Sequence, residues 1–113
     1  MAKYEKRFKG DFNEVLDICE RAIMKGSITA SFEEGSDFEN SGVQVAVRVY
    51  ERYSAFGGNR VSLNLTLMGY NNNIFLSAIT SGGSQAMFIK INTIGEENFL
   101  NTLSSVVEEY IKG

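Results

Sequence analysis

The sequence predicts an α+β domain, an antiparallel sheet in the order β-α-β-β-β-β-α with both helices on one face. Three observations predict it. First, Val43-Gln44-Val45-Ala46-Val47-Arg48-Val49-Tyr50 and Val61-Ser62-Leu63-Asn64-Leu65-Thr66-Leu67-Met68 alternate apolar and polar residues almost without error. That is the period of a strand with one face in a core. Second, two segments near the ends of the chain repeat apolar residues at helical spacing. Third, short glycine- and asparagine-rich breaks separate the segments, with no repeat, linker or low-complexity stretch. At 113 residues, positions 1–113 make one domain.

The elements follow in order. Ala2 to Lys9 reads as a short strand, ended by Gly10. Asp11 begins a helix, and Glu14 stands three residues later, the spacing of a capping box. Phe12, Val15, Leu16, Cys19, Ala22 and Ile23 form its apolar stripe, and Lys25-Gly26 closes it. Ser27 to Glu33 reads as a strand with Ile28, Ala30 and Phe32 inward, and Glu34 to Ser41 as a polar, acidic loop. The alternating strands span 42–53 and 60–70. Segments 74–81 and 85–93 follow, separated by Ser81-Gly82-Gly83-Ser84. The last helix covers 96–112, starting at Thr93-Ile94-Gly95-Glu96 and carrying Phe99, Leu100, Leu103, Val106, Val107, Tyr110 and Ile111 on its apolar stripe. A meander with two helices on one face satisfies this order, which is that of the TATA-binding-protein-like and helix-grip folds. The likeness is architectural and implies no function.

Face agreement constrains the turns. If Val43, Val45, Val47 and Val49 share the core face with Val61, Leu63, Leu65 and Leu67, paired residues sum to an even number. A five-residue loop, Ser54 to Gly58, then pairs Tyr53 with Asn59. Asn71-Asn72 as a two-residue turn pairs Leu67 with Leu76, because asparagine tolerates the left-handed conformation. Gly82-Gly83 as a hairpin turn pairs Ala78 with Met87 and Leu76 with Ile89. The face away from the helices then carries four rows: Gln44, Met68, Phe75 and Lys90; Ala46, Thr66, Ser77 and Phe88; Arg48, Asn64, Ile79 and Ala86; Tyr50, Ser62, Ser81 and Ser84. Its left side is polar, and its right side is apolar with little to cover it.

Composition limits the chemistry. Hydrophobic residues make up 43% of the chain, enough for a core without disulfides or metal. With 11 basic and 14 acidic residues the formal charge is -3, which gives no electrostatic footprint for nucleic acid. The absence of histidine removes Ser-His and Cys-His nucleophile designs and most zinc sites. The one cysteine, Cys19, sits on the first helix's apolar stripe and reads as a buried, inert thiol. It forms no internal disulfide, which points to a reducing, cytoplasmic home. Met1 to Lys9 is charged and lacks the apolar region of a signal peptide, and no apolar run approaches the ~20 residues of a membrane span. No membrane partner, nucleic acid, cofactor or metal is therefore expected.

Two candidate sites remain. The apolar patch Met68, Phe75, Ile79 and Phe88, flanked by Lys90, reads as an interface, because contiguous exposed apolar surface on a small domain seeks a partner. Sheet-on-sheet packing in a homodimer would bury it. Ser81, Gly82, Gly83 and Ser84 near Arg48 and Tyr50 could form a weak polar corner, although glycines flanked by serines are also what a tight hairpin needs. Glu33, Glu34, Asp37 and Glu39 lack calcium-loop spacing and read as solvated. The basic stretch Lys3 to Lys9 reads as an edge strand protected by lysines.

Three stretches carry a resemblance: Gly42 to Tyr53, Gly57 to Asn64, and Phe75 to Gln85. Through them the chain resembles a family of small Gram-positive bacterial proteins known only as a domain of unknown function, over nearly its whole length. The resemblance implies no activity, cofactor or catalytic residue. The expected function is a non-enzymatic binding or interaction module, homodimeric through the outer sheet face. The alternative is a small-molecule or lipid carrier, or an enzyme, with a pocket between helices and sheet walled by Phe12, Leu16, Leu65, Ile89 and Phe99. The small-molecule ligand of such a pocket is unknown.

Overall fold

The computed structural model describes residues 1–27, 29–53, 60–82 and 89–113, with 89–98 as backbone. The elements run β1 (Ala2–Lys9), α1 (Phe12–Lys25), β2 (Ser31–Asn40), β3 (Val43–Tyr53), β4 (Arg60–Tyr70), β5 (Asn73–Gly82) and α2 (Ile89–Lys112). The five strands form one antiparallel sheet in the spatial order β1-β5-β4-β3-β2. Thus β2 to β5 are a meander, and β1 closes the far edge beside β5.

Both helices pack on the same face. Val15, Cys19 and Ile23 of α1 and Phe99, Leu103 and Val107 of α2 form one core cluster with Leu63, Leu65, Leu67, Leu76 and Ala78 of the sheet. Asp11 starts α1 as the spacing predicts: its Oδ2 accepts the Glu14 backbone N–H at 2.9 Å. Gly26 closes α1, donating its N–H to the Ala22 carbonyl at 3.0 Å. Gly69 is buried where the start of α1 crosses β4; a Cβ there would lie 2.8 Å from the Phe12 ring. Two long-range locks hold the ends of the chain. The Tyr4 hydroxyl of β1 donates to Glu108 of α2 at 2.5 Å, with Lys6 Nζ 3.3 Å from the same carboxylate. The Tyr110 hydroxyl accepts the Asp11 N–H at 3.2 Å and donates to Glu14 at 2.9 Å.

The β4–β5 register follows the expectation. Asn71 and Asn72 take φ of 50° and 64°, the two left-handed residues of a type I′ hairpin, and Leu67 pairs with Leu76. Three segments depart from the expected reading.

The acidic segment Glu34 to Asn40 is strand rather than loop, and β2 begins at Ser31 rather than Ser27. It pairs with β3 through a turn at Ser41 and Gly42, with φ of 52° and 85°, and an irregularity between Phe32 and Glu34. An edge strand exposed to water can be polar on both sides, so composition alone disguised it.

The face of β3 is reversed. Val45 pairs with Met68 and Ala46 with Leu67, and Tyr53 pairs with Arg60 rather than Asn59. Ala46 and Tyr50 are therefore the fully buried residues of β3, while Val45, Val47 and Val49 lie on the side away from the helices. The residues of the expected five-residue loop lie outside the described residues.

Segment 85–93 was expected as a strand next to β5, a strand more than the β-α-β-β-β-β-α order holds. Its described part, from Ile89, is the beginning of α2, which starts before the Thr93–Glu96 signal. The physical reason is that both edges of β5 are occupied. Leu76 pairs with Leu67 on one side and Lys6 on the other, so no ladder remains for Ile89.

Candidate interaction surface

The register places the outer face residue by residue. One row reads Arg7, Phe75, Met68, Val45, Phe38 from β1 to β2; the next reads Glu5, Ser77, Thr66, Val47, Ser36; the third reads Lys3, Ile79, Asn64, Val49, Glu34. Phe38 is 60% exposed, Met68 42% and Ile79 40%. Phe75 and the three valines are half-buried only by their cross-strand neighbours. The exposed apolar side chains are thus displaced from the expected grid. They run from β5 across β4 into the valines of β3 and end on Phe38.

At its β1 side the patch meets cations. Arg7, Lys9, Met68, Tyr70, Asn73 and Phe75 wall an open cleft of about 790 Å³. The Arg7 guanidinium lies 5.6 Å from the centre of the Phe75 ring, within reach of its negative face. Lys3, Arg7 and Lys9 all point outward from β1 and are exposed, with Glu5 the one acid among them.

Of the expected interface residues, Met68, Phe75 and Ile79 do share this face, and the structure adds Phe38, Val45, Val47, Val49 and Arg7 to them. Phe88 lies outside the described residues. Lys90 is helical backbone in α2, so Arg7 of β1 stands where Lys90 was expected beside Phe75. The three valines follow from the reversed β3, Phe38 from the strand that replaces the expected loop, and Arg7 from the pairing of β1 with β5. One signal was present: Phe38 is a lone aromatic in an otherwise polar segment, at the spacing of a strand.

The polar corner is not brought together by the described residues. Arg48 and Tyr50 face the helices. Ser81 lies on the opposite face, its hydroxyl 3.0 Å from that of Ser62. Gly83 and Ser84 lie outside the described residues, and Gly82 ends β5. Arg48 is instead a connector. Its Nε donates to Glu20 of α1 at 2.7 Å and its Nη2 to Asp37 of β2 at 2.8 Å, while Nη1 donates to the Ser36 and Val47 carbonyls. Burial pulls the guanidinium pKa down, and the hydrogen bonds to Asp37 and Glu20 outweigh it, leaving it raised. Gly35 makes room for this side chain, since a Cβ there would lie 3.1 Å from Arg48 Cδ. Tyr50 stacks edge-on with Phe32 at 5.7 Å, and burial pushes its phenol up to about 12.

The remaining groups offer little chemistry. Cys19 is fully buried and its thiol is pushed up to about 12 by burial, so it is protonated and inert at neutral pH. Among the described residues, no three His, Cys, Asp or Glu side chains gather as metal ligands, and no helix is long and apolar enough to cross a membrane. Of the expected pocket walls, Leu65 and Phe99 are buried in the core and Phe12 and Leu16 pack against it. The side chain of Ile89 lies outside the described residues.

A model of a family described only as a family of unknown function, DUF6054, matches residues 1–111. No curated protein and no solved structure matches the chain.

Proposed function

We infer the role of this chain, which belongs to the DUF6054 family of unknown function, from a large apolar surface that the described residues leave uncovered. The proposal is a non-enzymatic interaction module that homodimerises through the sheet face opposite its helices. The observation that carries it is the second apolar side of β3. Val45, Val47 and Val49 join Phe38, Met68, Phe75 and Ile79 on a face from which both helices are absent. Soluble monomers rarely leave such a patch bare.

Its size supports a stable partner. A face five strands wide, at about 4.8 Å per strand, and eight residues long, at about 3.3 Å each, covers roughly 600 Å². Two copies would bury roughly 1,200 Å² together, the lower end of specific interfaces. The carrier alternative needs space between helices and sheet. There Cys19, Ile23, Leu63, Leu65, Leu67 and Leu103 pack with no exposed area.

Sedimentation and light scattering test the reading. The expected result is a dimer for the native chain and monomers for Phe75→Glu and Met68→Glu, with far-ultraviolet circular dichroism unchanged. A clean native monomer at high concentration overturns it.

A further inference from the structure

Charge on the outer face is distributed end to end, and this constrains how two copies stack. The third row begins with Lys3 on β1 and ends with Glu34 on β2, with Ile79, Asn64 and Val49 between. The first row begins with Arg7 and ends with Phe38. Both edge strands are exposed, and β4 lies at the centre of the five.

Two simple two-fold arrangements stack such faces. If the axis lies across the strands, β1 covers β1, and Arg7 is set against the partner's Lys3. If the axis lies along β4, β1 covers β2 and each row covers itself in reverse. Lys3 then meets the partner's Glu34, Ile79 meets the partner's Val49, and Arg7 meets the partner's Phe38. The first arrangement opposes like charges twice. The second pairs every outward cation of these rows with an acid or an aromatic ring.

We propose that a second copy of this chain docks on the outer face with the two-fold axis running along β4, so that the Lys3–Glu34 pairs at the two edges select the orientation. This rests on the homodimer reading and deepens it. It also explains the opposite characters of the two edges, basic on β1 and acidic on β2. The aligned geometry is the ordinary one for stacked sheets.

Charge reversal separates the possibilities. Lys3→Glu and Glu34→Lys each replace an attractive pair by a repulsive one, twice per dimer, and each is expected to weaken dimerisation by about tenfold or more at low salt. The double variant Lys3→Glu/Glu34→Lys restores the pairs with signs exchanged and is expected to regain most of the affinity. Both positions are exposed in the single chain, and thermal melting of diluted protein confirms that each variant folds. A native dimer that the single reversals do not weaken, or that the double reversal does not rescue, overturns the orientation and leaves the dimer standing. A native monomer overturns the homodimer reading itself.

Discussion

Val45 and Met68 stand opposite each other across the β3–β4 ladder, on the side of the sheet away from both helices. Their neighbours Ala46 and Leu67 stand opposite each other on the inner side, and both are fully buried. The pairing decides which substitutions the core feels.

Enlarging Ala46 should therefore be costly and trimming its neighbour should not. Ala46→Leu is expected to lose about 1–3 kcal/mol, because the added atoms enter a filled core. Val47→Thr should change the stability of the monomeric chain by less than about 0.5 kcal/mol, as outward substitutions do. Urea unfolding at a concentration where the protein is monomeric measures both. The reverse ranking would mean that the valines face the core.

The β4–β5 turn gives a local check. Asn72 sits at φ 64°, where a side chain with a Cβ and no local hydrogen bond is disfavoured. Asn72→Ala is expected to lower stability by roughly 1 kcal/mol, and Asn72→Gly to leave it unchanged or raise it. Thermal melting reads the difference. An alanine variant that melts with the native protein would refute the left-handed turn.

The lock between β1 and α2 makes stability depend on pH. The hydrogen bond from Tyr4, opposed by partial desolvation and aided by Lys6, holds the Glu108 carboxyl below its ordinary value. A depressed carboxylate stabilises the fold above its unfolded pKa of about 4.3 and stops doing so as pH falls through the folded value. Tyr4 works at the other end. Burial and Glu108 push its phenol up, so its contribution holds below the ordinary phenol pKa of about 10 and fades only at more alkaline pH. The melting temperature of Glu108→Gln should fall short of the native value by a constant margin from pH 6 to 8, and the margin should shrink below about pH 4.3. A margin that persists unchanged to pH 3 would contradict the assignment.

Much of this fold was legible in the residues, for identifiable reasons. The cap at Asp11, the break at Gly26 and the Asn71–Asn72 turn are local signals, and local signals carried the boundaries of α1 and the β4–β5 register. So were the residues behind the family resemblance, Gly42 to Tyr53 among them, and the family match bears it out. The outward position of Met68, Phe75 and Ile79 followed from the turn. What was not legible depended on non-local competition. Ile89 and Ile91 alternate as a strand would, but β1 had already taken the free edge of β5. Glu34 to Ser41 looks like a loop because nothing local says that Val47 and Val49 pair with Ser36 and Glu34. The valines of β3 read as core in the sequence because strict alternation suggests that only one face is apolar.

That last point gives Arg48 a meaning beyond its contacts. A strand with apolar residues on both faces cannot choose between two alignments by hydrophobicity alone, since a one-residue slip merely exchanges Ala46 and Tyr50 for valines. The slip is prohibitive at Arg48. It would carry the guanidinium away from Glu20 and Asp37 to the opposite face, among Asn64, Ser77 and Ile79, and leave both acids behind. One cation under α1 thus acts as an indexing pin, and by holding the third strand in place it keeps three valines on the outer face of the sheet.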